Sequence, residues 1–275
     1  MPHRLSKAMS ATGWGAAGAG LPCGAAPAML GPMLHLHRFH VSEDTPESGE
    51  ITLSGVEAHH ARRVVRLRAG DRVALFDGAG RDFRGVVTET AKDVVRVAVE
   101  SVQHVPPPAP ALDLAMAWLH KDKALEEIVR RCTELGVGRF VFFRAARSGR
   151  APRIPQKWRR LVIETCKQCG RLWLPNFDVC QTMTEAVEQA QGDRLVAAID
   201  TPPAPLHQAL TGGDATLLVG PEGDFTPGEL AAALAADFQP VSLGPYTFRA
   251  EVAAVVAATL VRHYQGALGP VANHR

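Results

Sequence analysis

No stretch of this 275-residue chain reaches the ~18 uninterrupted apolar residues of a membrane-crossing helix, and the best candidate, residues 252–261, is too short. Cysteine is scarce and odd in number, at five, which excludes a disulfide framework in a chain this long. Cys166 and Cys169 form the one close pair, while Cys23, Cys132 and Cys180 supply no second pair for a zinc site. A redox Cys-x-x-Cys opens a helix, and this pair falls late in a helical pattern, so the cysteines read as packing residues in a reducing cytoplasm. No Gly-Lys-Ser/Thr follows a glycine loop, and no Gly-x-Gly-x-x-Gly, Gly-x-Ser-x-Gly or His-Glu-x-x-His occurs. His35, His37, His59 and His60 have no carboxylates at ligand spacing, so no metal is expected.

What is present is a folded composition, 46% hydrophobic and 21% charged, enough for one large domain or two modest ones. The formal net charge is only +2, but its distribution is uneven. Residues 139–171 hold ten Lys/Arg against the single acid Glu164, and residues 172–275 hold four against eleven Asp/Glu. Such an asymmetry favours a polyanion-binding surface beside a neutral or acidic body, with a merely solvated basic face as the alternative.

Residues 1–33 are rich in Ala and Gly with little periodicity, and Gly13, Gly15, Gly18 and Gly20 break any signal-peptide core. They read as a disordered extension or an over-long start. Residues 34–105 read as a small β-rich domain. Residues 34–39 alternate as a strand, residues 56–67 form a short basic helix bearing Arg62, Arg63 and Arg66, and a hairpin turns at Asp77-Gly-Ala-Gly80. Residues 94–99 are a third alternating run, and Pro106, Pro107, Pro108 and Pro110 mark the boundary. From 111 to 268, apolar runs alternate with helical patterns, the signature of an α/β domain on a mostly parallel sheet. Strands are expected at 112–118, 140–143, 195–199, 216–219 and 241–243, each of the last three leading through a loop into a helix. Other helices are expected at 123–135, 158–169 and 249–264.

Open α/β sheets bind ligands beyond the carboxyl ends of their strands. Two such turns stand out. Leu218-Val219-Gly220-Pro221-Glu222-Gly223 leads to a helix start at Thr226, Pro227 and Glu229, read as N-cap, N1 and N3 of a capping box. Leu243-Gly244-Pro-Tyr-Thr-Phe248-Arg249-Ala250-Glu251 repeats the strand, glycine turn and helix start. Two such turns at adjacent strand ends suit one backbone-lined pocket, although each also suits a plain connection.

These motifs, with Thr133-Glu-Leu-Gly-Val137, Cys166-Lys-Gln-Cys-Gly-Arg171 and Pro175, resemble the bacterial 16S ribosomal RNA uridine-N3 methyltransferase family of the SPOUT superfamily. His59-His-Ala-Arg-Arg-Val-Val-Arg-Leu67 and Leu75-Phe-Asp-Gly78 match in type and order, so the resemblance spans about residues 33–265. It implies a PUA-like β-barrel domain followed by a SPOUT α/β domain with a C-terminal trefoil knot, and a homodimer that binds S-adenosylmethionine in the knot. Carried over by position, the cofactor touches Leu218, Val219, Gly220, Pro221, Glu222, Gly223, Leu243, Gly244, Phe248 and Ala250. Arg249 and Glu251 stand near the methyl group, the first to stabilise the uracil anion, the second to position it or accept the proton. Arg62, Arg63, Arg66, Arg147 and Arg171 fall to RNA phosphates, with Arg171 nearest the active site. The implied partner is 16S rRNA or the small ribosomal subunit, in the cytoplasm, with no membrane and no metal. Another rRNA or tRNA site, or a ribosome assembly factor without catalysis, are the alternatives.

The chain departs from the family pattern at Asp224, where a second glycine is usual, at Tyr246, where Arg is common, and at Ala250 and Val252, where the family has threonines. Losing two hydroxyls removes hydrogen bonds worth about 0.5–1.5 kcal/mol each.

Overall fold

The computed structural model describes residues 36–197 and 205–268. The expectations for residues 1–33, including Cys23, and for His35 lie outside the described residues.

The N-terminal part is a five-stranded sheet in the order β1 (His37–His40), β3 (Arg72–Phe76), β4 (Arg81–Thr90), β5 (Val94–His104), β2 (Glu50–Ser54). β1 runs parallel to β3 and the other pairs are antiparallel. Two register shifts in β4 bend the long β4–β5 ribbon, so the sheet curls around Phe39, Ile51, Leu53, Phe83, Val95 and Val97. Its ladder ends at β1 and β2, so the barrel expected from the resemblance is a curled sheet with two edges among the described residues. The basic helix begins as α1 (Gly55–His59), continues as a π-helical turn (His60–Val65) and stops at Arg66, whose φ of 64° is left-handed.

The C-terminal part is a wholly parallel six-stranded sheet with helices on both faces. Its strands, β6 (Leu112–Ala117), β7 (Arg139–Phe143), β8 (Asn176–Cys180), β9 (Asp193–Ala197), β10 (Ala215–Val219) and β11 (Gln239–Val241), lie in the order β11-β9-β10-β6-β7-β8. Strand residues alternate between the faces. Leu112, Leu114 and Met116 meet α2 (Asp122–Glu134), α3 (Lys157–Cys169) and α6 (Ala250–Tyr264) on one face. Ala115 and Ala117 meet α4 (Met183–Glu188) and α5 (Pro227–Ala235) on the other.

Four expectations are corrected. β8 and α4 fall where no element is expected. β9 is followed, among the described residues, only by a 3₁₀ turn at Leu206–Gln208. β11 ends at Val241, and Leu243 belongs to the loop beyond it because Ser242 Oγ accepts from Gly244 N at 3.2 Å and turns the chain. Cys169 is exposed rather than packed, whereas Cys132, Cys166 and Cys180 are buried as expected.

The Asp77-Gly-Ala-Gly80 turn does more than join two strands. The buried Asp77 carboxylate accepts Ala79 N (2.8 Å), Arg81 N (3.0 Å) and Arg81 Nε (2.6 Å). Ala79 pairs with Trp173, Gly80 N donates to Leu172 O, and Leu174 N donates to Gly78 O, so the turn makes a short antiparallel contact with the connection between α3 and β8. Gly80 has φ +100°, and a Cβ there would lie 2.5 Å from the Trp173 ring. Phe76, Cys166 and Leu172 form an apolar cluster behind it. Arg38 Nη1 donates to Gly170 O (2.8 Å), and Lys167 pairs with Glu57 (3.2 Å), tying the small sheet to the end of α3.

Candidate functional site

The carboxyl ends of β9, β10 and β11 open into one cavity of about 590 Å³, within the range of small-molecule sites. β10 and β11 are not neighbours, because β9 lies between them, which corrects the expectation of adjacent strand ends. Ala197, Val219 and Val241, each the last residue of its strand, give the cavity an apolar floor. Ser242 to Ala250 form one wall, the turn through Gly220, Pro221 and Glu222 a second, and Lys121 and Ala124 at the start of α2 a third.

The sequence built the first turn tightly. A Cβ on Gly220 would lie 3.2 Å from the Phe225 ring. Asp224 N donates to Pro221 O (3.0 Å), and Asp224 adopts φ 60°, the left-handed conformation that glycine takes most readily. Its carboxylate accepts Phe225 N (2.8 Å), a local bond of the kind that lets aspartate occupy this region. The turn then enters α5 through the expected capping box, Thr226 Oγ1 accepting Glu229 N (3.2 Å) and Glu229 accepting Thr226 N (2.9 Å). The second Glu229 oxygen accepts Ala146 N (2.7 Å), so one carboxylate holds the helix start and the loop after β7 together.

Of the expected cofactor residues, Val219, Gly220, Pro221, Glu222, Leu243, Gly244, Phe248 and Ala250 line the cavity, as do Arg249 and Glu251. Leu218 does not, because alternation along β10 turns its side chain into the core on the opposite face. Gly223 lies just outside, where its carbonyl accepts from Arg147 Nη1. Arg249 is the N-cap residue of α6, exposed, and Glu251 is in the first turn. Among the described residues neither forms an ion pair, so Glu251 does not hold Arg249. The guanidinium adds its charge to the positive end of the α6 dipole.

His120 and Lys121 went unread, although they stand at the carboxyl end of β6, where the open-sheet rule directs attention. His120 N and Nδ1 lie 3.0 and 3.1 Å from the two Glu222 oxygens. Burial pushes the Glu222 carboxyl up, but its own backbone N–H and the His120 ring and amide outweigh it and hold it below the ordinary value. The wall thus presents both signs, Lys121 and Arg249 against Glu222, Asp224 and Glu251, over an apolar floor.

The basic residues separate. Arg63 and Arg66 are exposed, Arg62 donates to Lys92 O, and Arg147 braces the first turn. Arg171 is absent from the cavity wall. Its guanidinium is buried and donates to Thr133 O (3.1 Å) and Val137 O (2.7 Å), capping the end of α2, so the reading of a surface phosphate ligand is corrected. No metal-ligand cluster occurs among the described residues, and no helix there is long and apolar enough to cross a membrane.

Residues 106–262 match the RNA methyltransferase domain family, and residues 53–100 the RNA methyltransferase PUA domain family. A Synechocystis protein, ribosomal RNA small subunit methyltransferase E, is 32% identical over 80% of this chain and 75% of its own. A probable rRNA-methyltransferase from Porphyromonas gingivalis superposes with a TM-score of 0.77 at 29% identity, over 84% of this chain and 99% of its own. The Neisseria gonorrhoeae ribosomal RNA small subunit methyltransferase E, solved bound to S-adenosyl methionine, shares the fold with a TM-score of 0.73 at 23% identity, over 83% and 98%. With its PUA domain, its parallel α/β sheet and these matches, the chain belongs to the family of ribosomal RNA small subunit methyltransferases E.

Proposed function

We propose that the protein is a cytoplasmic S-adenosylmethionine-dependent methyltransferase that methylates N3 of a uridine in 16S rRNA of the small ribosomal subunit. The observation that carries this reading is the single cavity walled by the two glycine-proline turns, with Arg249 and Glu251 on its rim, in a chain of this family. The cavity suits the cofactor chemically. Ala197, Val219 and Val241 suit an adenosine, and the mixed charges of the wall suit a zwitterionic, sulfonium-bearing tail. Leu218 and Gly223 contribute through their neighbours rather than as lining. When bound, the cofactor supplies an electrophilic methyl group.

The chain's own residues then align the acceptor and stabilise its charge. Uracil N3–H is weakly acidic, so loss of its proton needs a cation beside the ring or a base. Arg249, which forms no ion pair among the described residues, supplies that cation. Glu251, in the first turn of α6, orients the ring or takes the proton. Arg63 and Arg66 on the exposed side of the small domain bind phosphates and set the substrate's orientation.

We read the assembly as a homodimer with a knotted chain end. Exposed Val252, Leu260 and Tyr264 lie on one side of α6, an apolar stripe beside the cavity that a second copy covers. Convergence of the β10 and β11 loops across the intervening β9 supports the knot. Incubation with methyl-labelled S-adenosylmethionine is expected to label unmethylated small subunits and not tRNA. Label in tRNA alone overturns the substrate, and failure to bind the cofactor overturns the enzyme reading in favour of an assembly factor.

A further inference from the structure

The cavity wall from Ser242 to Ala250 is an arch with anchored feet. Leu243 packs against the core of the parallel sheet and Ala250 is buried, while Gly244, Pro245, Tyr246 and Thr247 between them are exposed. The arch is shaped rather than slack. Gly244 adopts φ +125° with open space where a Cβ would stand, and its N–H donates to Ser242 Oγ at 3.2 Å. Pro245 then fixes its own φ immediately before Tyr246. At the crest, Tyr246 lines the cavity and is 79% exposed, the most of any large hydrophobic side chain among the described residues. There it forms no hydrogen bond and no contact with another ring. Folding leaves a large flat surface bare at the mouth of the site.

The rest of the rim decides what covers it. Arg249 is exposed three residues further on and forms no ion pair among the described residues. Three residues span at most about 11 Å of chain, so one nucleobase meets both side chains. A base that delivers its acceptor atom to this cavity has to leave its own stack, and a planar ring at the mouth restores the stacking it forfeits. The neutral ring of Tyr246 suits the face of a base, and the guanidinium of Arg249 suits an edge that becomes negative.

We propose that Tyr246 is the stacking platform for the acceptor uracil, holding its face while Arg249 meets the edge that carries N3. This rests on the reading of the cavity as a methyltransferase site for uridine in RNA. The ring holds the base equally before and during methyl transfer, so it contributes to KM rather than to kcat. Every base has a π face, so Tyr246 retains the base without choosing it.

The test is steady-state methylation of small subunits lacking their native uridine methylation, at saturating S-adenosylmethionine. Tyr246→Ala is expected to raise the KM for subunits about fivefold or more, with kcat and the Kd for S-adenosylmethionine nearly unchanged. Tyr246→Phe keeps the ring and should restore the wild-type KM, whereas Tyr246→Leu keeps apolar bulk without the plane and should not. The log–log slope of subunit binding against salt should be the same in Tyr246→Ala as in wild type, since a neutral ring releases no counterions. An unchanged KM in Tyr246→Ala overturns the platform and leaves the methyltransferase reading standing, while a wild type that methylates no subunits overturns both. A Phe variant as weak as Ala assigns the effect to the hydroxyl, and a Leu variant as good as wild type assigns it to bulk; either result overturns stacking. Slower sedimentation of Tyr246→Ala places the ring against a second copy of the chain and overturns the proposal as well.

Discussion

Arg249 stands on the cavity rim and forms no ion pair among the described residues, so its substitution separates binding from chemistry. Arg249→Ala is expected to lower kcat about a hundredfold or more while leaving the Kd for S-adenosylmethionine nearly unchanged. A near-wild-type rate removes Arg249 from the mechanism. His120 acts differently, through Glu222 and the first turn. His120→Ala removes one of the bonds that fixes Glu222, and calorimetry should show cofactor affinity falling about two- to tenfold. Asp224 shows how a departure from the family pattern is accommodated. Its left-handed φ is what makes glycine usual there, so Asp224→Gly should keep the fold and Asp224→Val should lower the urea midpoint. At Asp77, burial pushes the carboxyl up, but the Arg81 side chain and the Ala79 and Arg81 amides hold it below its ordinary value. A depressed folded-state pKa gives a contribution that is complete above the unfolded value, about 3.9, and is lost as pH falls through the folded one. Urea unfolding of wild type should weaken below about pH 4, and Asp77→Asn should flatten that slope.

At the scale of elements, legibility followed burial and capping. The strands β6, β7 and β10 were readable because continuous apolar runs are buried on both faces. The start of α5 was readable because Thr226, Pro227 and Glu229 carry a local signal that tertiary context did not override. Thr226→Ala should lower the unfolding free energy by about 1 kcal/mol, read as a shift in the urea midpoint without change in slope. β8 was not readable, since Asn176 to Cys180 is a short edge strand of mixed polarity, half exposed. α4 carries the same Thr-x-x-Glu sequence as α5, with Thr182 accepting Glu185 N, although Glu185 accepts Gln181 N rather than the N-cap amide. Pairing order is not local at all. Nothing in the segment around Gly244 announces that β9 separates its strand from β10, so the cavity was legible as two turns but not as three strand ends.

For the whole molecule, the charge asymmetry places the basic run on the β7–α3 connection and on α3, but not all of it faces solvent. Arg171 is consumed in capping α2 and Arg147 in bracing the first turn, while Arg63 and Arg66 stay exposed. RNA affinity should therefore fall steeply with salt, and Arg63→Ala or Arg66→Ala should each lessen the log–log slope by about one. Arg171→Ala should instead lower stability, because Thr133 O and Val137 O lose their donor. The exposed stripe on α6 predicts that Leu260→Asp lowers the sedimentation coefficient from dimer to monomer. The measurement that bears most directly on the account is the identity of the product. Small subunits lacking their native uridine methylation, treated with the protein and S-adenosylmethionine, would be digested to nucleosides and analysed by mass spectrometry. The account predicts new 3-methyluridine, abolished by omission of the cofactor and strongly reduced by Arg249→Ala. Methyl label recovered in any other nucleoside, with 3-methyluridine absent, would contradict it.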